Sequence, residues 1–324
     1  MKTRNRCLAV LFLLLALPAL ACRVLVIESY HPEFAWDAQY KAALATALPE
    51  CRLDSFALDT KRQPESAWPA RRDSALAYLK ANPADLVVLG DDAAVKLLAA
   101  PLAGTSVPVV YLGVNNNPRM YPLGSNCTGV LERPLVRRNI ALLQELLPGV
   151  RQVVLLFDRD LTAQVLKEEV LGKQDEHEVA GIRVRVQYLG TFAEWQSAVR
   201  AVPGDGSAAI VVATYQALRD EKGKTLDGNA VLSWTNANSR APLFAFWEHA
   251  VGAQGAIGGM VVSGREQGRQ AGRIARKILF EHVKPQEINP QIGNSSDFVF
   301  SRSQLQRFSI ILPEWLAKQS RYLD

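Results

Sequence analysis

Several familiar signatures are missing from this chain. It has no G-x-x-x-x-G-K-[ST], no H-E-x-x-H, no G-x-S-x-G and no G-x-G-x-x-G after a predicted strand. These absences remove the phosphate-cradling loop, the helical zinc-protease site, the hydrolase nucleophile turn and the dinucleotide fingerprint. Histidine is scarce: His31, His177, His249 and His282 are the only four, and they are scattered. No metal site and no cofactor are expected from them. His177 and His282 are expected near helix C-termini, where an imidazolium suits the dipole. His31 and His249 fall at predicted strand ends, where a ligand contact is open. No tandem repeat or low-complexity tract occurs, and no apolar run beyond the first residues is long enough to span a bilayer.

The amino end reads as an export leader. Lys2, Arg4 and Arg6 precede an apolar stretch from Leu8 to Leu20, and Ala19-Leu20-Ala21 fits an A-x-A cleavage site. Residues 1–21 are therefore expected to be a signal peptide, and the mature protein to be periplasmic. Losing those three basic residues takes the formal net charge from +5 to +2. No basic stripe remains that would suit nucleic acid. Cys7 leaves with the leader, while Cys22, Cys51 and Cys127 stay. Cys22 and Cys51 each open a predicted strand, the first and the second. Neighbouring parallel strands would set them close enough to bridge, so a Cys22–Cys51 disulfide is expected. A lipid on Cys22, which directly follows Ala21, is the alternative.

What is present is a βα alternation. Val24-Leu25-Val26-Ile27 reads as a strand buried on both faces. Trp36, Tyr40, Leu44 and Leu48 then form a helical stripe. Strands follow near 51–58, 85–89, 107–112 and 128–131, with helices at about 65–81 and up to Leu98. The pattern restarts with a helix at 134–147, then strand 152–157, a helix from 161 to His177, and strand 182–189. Helix 192–202, strand 208–213, helix 230–238 and strand 243–246 complete it. The fold class is thus α/β: two Rossmann-like lobes with parallel sheets, joined by several crossings. Gly129, Gly252–Gly259 and Pro285–Pro290 mark those crossings. Lobe 1 is expected to hold 23–128 and 253–287, and lobe 2 to hold 129–252 and 288–324.

In open parallel sheets, ligands bind outside the carboxyl ends of the strands. Polar and aromatic residues recur there. The first lobe offers Ser29, Tyr30, Trp36, Asp91, Asp92, Asn115 and Asn116, and the second offers Asp158, Tyr215, Trp247 and Glu248. Each has an ordinary structural use: Asp92 as a helix cap, the asparagines in a turn, Trp247 in the core. Converging from both lobes, they suit a small-molecule cleft. The rings supply stacking surfaces, and the acids outnumber the bases. A small ligand with a flat or aromatic part and an amine or other cation is expected, and an amino acid remains allowed.

At a wider scale the chain resembles the substrate-binding proteins of bacterial ABC transporters with the type I periplasmic-binding fold. The likeness is carried by Asp85-Leu86-Val87-Val88-Leu89-Gly90, Pro108-Val109-Val110-Tyr111-Leu112-Gly113-Val114, Cys127-Thr128-Gly129-Val130 and Leu142-Leu143-Gln144-Glu145-Leu146-Leu147-Pro148. Gly264-Arg265-Glu266-Gln267-Gly268-Arg269-Gln270-Ala271-Gly272-Arg273 is its most specific part, and Leu312-Pro313 closes it. The branch it resembles includes aromatic-amino-acid binders. Ser29-Tyr30-His31-Pro32 with Asp59-Thr60-Lys61-Arg62 is closer to relatives that serve as sensing domains for histidine kinases and diguanylate cyclases. The resemblance implies a two-lobed protein that closes on a ligand without catalysis and works with a membrane permease or a membrane sensor protein. An exported α/β enzyme using Asp91, Asp92, Asp158 or Glu248 as acid and base is the rival reading.

Overall fold

The computed structural model describes residues 22–172, 174–293 and 297–324. The expected leader, 1–21, lies outside the described residues. The first part of the chain runs β1 (Cys22–Glu28), α1 (Ala35–Ala47), β2 (Cys51–Ala57), α2 (Trp68–Ala81), β3 (Leu86–Gly90), α3 (Asp91–Ala103), β4 (Val109–Val114) and β5 (Cys127–Leu131). The second runs α4 (Val136–Leu146), β6 (Gln152–Phe157), α5 (Leu161–Leu166), β7 (Glu176–Val179), β8 (Ile182–Tyr188), α6 (Phe192–Ala201), β9 (Ala208–Val212), α7 (Gly228–Asn238) and β10 (Leu243–Ala245). The chain closes with β11 (Gly258–Val261), α8 (Gly264–Phe280), β12 (Gln291–Ile292), β13 (Asp297–Phe300), α9 (Arg302–Arg307), α10 (Glu314–Gln319) and β14 (Ser320–Tyr322).

Two sheets result. The first is parallel throughout, in the order β2-β1-β3-β4-β5-β12. The second has the order β10-β9-β6-β8-β7, parallel except for the β7 edge. In both, the strand order reverses beside the first strand of the unit: β1 against β3, and β6 against β9. Such switch points open a crevice at the strands' carboxyl ends, because the connections there leave in opposite directions. A small third sheet, β11-β13-β14, ties the carboxyl-terminal segment to the second unit.

The specific glycine stretch proves to be a packing device. Gly264, Gly268 and Gly272 stand four apart on α8 and face α1. A Cβ on Gly268 would lie 2.3 Å from the Tyr40 carbonyl oxygen, and one on Gly272 would lie 2.4 Å from Ala47 Cβ. Only bare backbone allows the two helices to touch this closely. Their contact fixes α1, and so fixes Trp36 and Tyr40 behind the first crevice.

The register pairs Cys22 with Cys51, Cα atoms 4.5 Å apart, and the two form a disulfide. Other expectations need correction. The helix after β6 stops near residue 171 instead of reaching His177, because Gly172 turns the chain at φ 79°. Residues 176–188 instead make a hairpin around Ala180 and Gly181, both at positive φ, as a two-residue turn of matching twist requires. His177 therefore sits on a strand. Helix α3 runs past Leu98 to Ala103 and carries Pro101 within it, its last turn held by buried Leu102. The chain leaves the first sheet after Leu131, later than the 128/129 crossing expected. Residues 288–292 stay on that sheet's edge, since the Thr128 hydroxyl donates to the Ile288 carbonyl at 2.6 Å and β12 pairs with β5.

Candidate functional site: an aromatic cavity between two switch points

Both switch points open onto one cavity. From the first sheet come Tyr30, Phe34 and Trp36 after β1, Lys61 after β2, Asp91 after β3, Asn115 after β4 and Glu132 after β5. From the second come Thr162 after β6, Ala213, Thr214 and Gln216 after β9, and Trp247 and His249 after β10. Its free volume is about 30 Å³, room for one or two water molecules with the walls as they stand. A small organic ligand needs roughly ten times that, so it enters only if the two units part.

The walls are aromatic and the polar points are few. The Trp36 indole N–H donates to Asp91 Oδ2 at 3.1 Å, and the Trp247 indole N–H donates to Glu132 Oε1 at 2.8 Å. Each carboxyl group is thus aimed by a tryptophan. Burial pushes the Asp91 pKa well above the usual carboxylate range, and the nearby Asp37 and Glu132 charges add to it. Burial also pushes Glu132 up to about 8. Asp91 begins α3 at φ 70°, a left-handed conformation, and its carboxyl fits because Gly113 opposite has no Cβ: one would meet Oδ1 at 2.9 Å. His249 is held neutral, its pKa lowered to about 4 by burial and by the Lys61 charge. Its Nε2 meets the Gln216 amide at 3.2 Å, while its Nδ1 is buried without a partner, as is Asn115 Oδ1. Unpaired buried polar atoms at a cavity wall are what a ligand's hydrogen bonds would satisfy.

Five of the sequence-read residues line this cavity: Tyr30, Trp36, Asp91, Asn115 and Trp247. Six do not. Ser29 turns the other way, donating to the Gly90 carbonyl at 2.5 Å and accepting from the Ala94 N–H. Asp92 clamps the loop after β4 through the Asn115 and Asn116 N–H groups and the Tyr121 hydroxyl. Asn116 lies within that loop, near Tyr121. Asp158 is fully buried and bonds the Thr214 hydroxyl at 2.7 Å and the Ala217 N–H at 2.9 Å, bracing the wall from behind. Tyr215 packs into the second unit's core beside Trp195. Glu248 faces the opposite way and receives Arg321 at 3.0 Å, where β14 joins the second unit. In three neighbouring pairs only one member reaches the crevice: Tyr30, Asp91 and Trp247 line it, while Ser29, Asp92 and Glu248 bond elsewhere.

Phe34, Lys61, Glu132, Thr162, Ala213, Thr214 and Gln216 also line the cavity but were not singled out, and His249 was left open. All follow a strand's carboxyl end, as the chosen residues do. Applying that signal to β2 and β5 as well would have found Lys61 and Glu132.

The sequence pattern of the family described as ABC transporter substrate binding protein matches residues 70–322. This chain belongs to that family. Family members are binding proteins. Solved structures share the fold. An ABC domain from Streptococcus pneumoniae in complex with L-Trp aligns with a TM-score of 0.66 at 19% identity, covering 93% of this chain and 99% of that one. A conserved domain protein from Vibrio cholerae aligns at 0.67 and 18%, with the same coverage. A periplasmic ribose ABC transporter protein from Conexibacter woesei aligns at 0.54 and 14%, covering 94% and 99%. No curated sequence matches the chain. Among the described residues, no helix of this substrate-binding protein is long and apolar enough to cross a membrane. None of its described His, Cys, Asp and Glu residues form a group that could hold a metal ion.

Proposed function

We propose that this substrate-binding protein is periplasmic, closes on an amine-bearing aromatic molecule and delivers it to the permease of an ABC-type importer. Its lobes would be about 22–131 with 264–292, and about 132–262 with 297–324, following sheet membership. One observation carries the ligand class. Asp91 and Glu132 are buried at the same cavity, each tied to one indole N–H, with Tyr30, Phe34, Trp36 and Trp247 around them. A cation placed there meets both carboxyl groups and gains about 0.5–2 kcal/mol from each ring face it covers. It would also allow the two acids to ionise, which burial alone opposes.

A thermal-shift screen across amino acids, aromatic amines, sugars and purines tests the reading. A true ligand at about 100 times its Kd adds about 2.7 kcal/mol of stability. Aromatic amines or amino acids are expected to raise the melting temperature. A response confined to sugars or dicarboxylates would overturn the cationic reading. Uptake reconstituted with a permease tests delivery. Stimulation of a histidine kinase or diguanylate cyclase instead would assign the protein to sensing.

A further inference from the structure

Three contacts run directly across the cleft. Lys61, after β2, forms an ion pair with Asp160, after β6. The Tyr30 and Thr162 hydroxyls are 3.0 Å apart. The Thr225 hydroxyl donates to the Lys61 carbonyl oxygen at 3.2 Å. Each joins the first sheet's unit to the second's, side chain to side chain or side chain to backbone. The Lys61 side chain is only 3% exposed and that of Asp160 only 9%. Its ammonium also lies 4.5 Å from the Tyr30 ring centroid and 5.8 Å from that of Phe34. An ammonium is buried this deeply only when a carboxylate meets it, and that carboxylate belongs to the other unit.

The same side chains divide the cleft. Tyr30, Lys61 and Thr162 line the aromatic cavity and also a neighbouring chamber of about 380 Å³. The outer chamber is the more polar of the two, with Gln63, Glu65, Arg159, Gln164 and Arg219 around it. Trp68 forms part of its wall, buried, its indole N–H without a partner. Lys61 stands between the two, lining both.

We propose that Lys61 is an interlobe latch: its pair with Asp160, beside the Tyr30–Thr162 bond, holds the lobes together and seals the aromatic cavity from the outer chamber. The lobes then carry a closing contact of their own, which must break before a ligand reaches the aromatic cavity. The proposal rests on the two-lobe reading but not on any ligand's identity.

The test uses the mature protein without additives. Small-angle scattering and amide hydrogen exchange compare wild type with Lys61→Met, Asp160→Asn and Lys61→Arg. Asparagine keeps the cap that Asp160 places on α5, so only the charge is lost. Wild type and Lys61→Arg are expected to share the smaller radius of gyration. Lys61→Met and Asp160→Asn are expected to show a larger one. Exchange at residues 161–163 should rise about tenfold in those two variants, with the β1 and β6 amides unchanged. Acrylamide quenching of tryptophan fluorescence should rise in Lys61→Ala, and the rise should vanish in a Trp36→Phe/Trp247→Phe background. Circular dichroism confirms that each variant folds, and Tyr30→Phe, expected to open less, replaces any variant that does not. An equal radius of gyration in wild type and Lys61→Met overturns the latch. Unchanged quenching in Lys61→Ala overturns the seal.

Discussion

Gly268→Ala is the sharpest perturbation of the scaffold that sets the cavity. The new methyl would stand 2.3 Å from the Tyr40 carbonyl oxygen and 2.8 Å from Tyr40 Cα. Both are backbone atoms of α1, so no side chain can swing aside. Restoring ordinary contact requires α8 and α1 to part by roughly 1 Å along that line. Such a gap forfeits a quarter to a half of the dispersion energy of each atom pair it separates. Overpacking of this kind costs about 1–3 kcal/mol, and a backbone-to-backbone clash belongs at the upper end. Alanine gains about 1 kcal/mol over glycine in a helix interior, which leaves a net loss of about 2 kcal/mol. For a chain of this size the melting temperature should fall by about 4 °C. Gly104→Ala is the control, because nothing lies within 4 Å of a Cβ there. It should stay within about 0.5 kcal/mol of wild type. Urea melts of the two variants decide the matter. A Gly268→Ala protein as stable as wild type would refute the close-packing account of the glycine stripe. Because α1 carries Trp36, Gly268→Ala should also weaken any ligand that stacks on that ring.

Other outcomes follow from the same structure. Replacing Cys22 and Cys51 by serine frees a loop with a sequence separation of 29 and should cost about 3–4 kcal/mol, read by urea denaturation. Glu132, pushed up to about 8 from an ordinary 4.5, keeps its proton in the folded state after the unfolded chain has lost it. Stability should therefore fall as pH rises from about 4.5 to 8, and Glu132→Gln should remove on the order of 5 kcal/mol of that fall. Asp158, raised to about 7 by burial and by Asp160, adds to the same trend. Trp247→Ala and Asp91→Asn should each weaken a confirmed ligand about tenfold or more by calorimetry, since both remove contacts at the cavity wall. Glu248→Gln, which loosens only Arg321 and Arg265, should lower the melting temperature and leave that affinity unchanged.

Much of this was legible in the residues. Unbroken apolar runs such as Leu86–Leu89 and Val153–Phe157 announce buried parallel strands, and β6 starts and ends where the pattern places it. Cys22 and Cys51 stand at equivalent positions of adjacent strands, so register alone brings them together. The hairpin at 176–188 was hidden because a long polar segment, Glu168 to Glu178, carries no period that favours helix or strand. Its form came from Gly172 and the Ala180-Gly181 turn together with an edge of β8 that needed a partner.

The sequence by itself determined the class of the fold and the end of each sheet where a ligand would sit. Both follow from local pattern: the period of apolar residues and the polar break after each strand. Tertiary structure alone decided which of those polar residues face the crevice. Ser29 and Tyr30 are neighbours in sequence, yet one bonds the backbone behind the wall and the other reaches across to Thr162. The direction of a side chain leaving a strand depends on the turn it enters and on what packs beneath, and in this chain α8, more than two hundred residues away, packs beneath α1. The pairings Trp36–Asp91, Trp247–Glu132 and Lys61–Asp160 join segments with no local relation, so no window of sequence contains them. They exist because two switch points, built by separate stretches of chain, face one another.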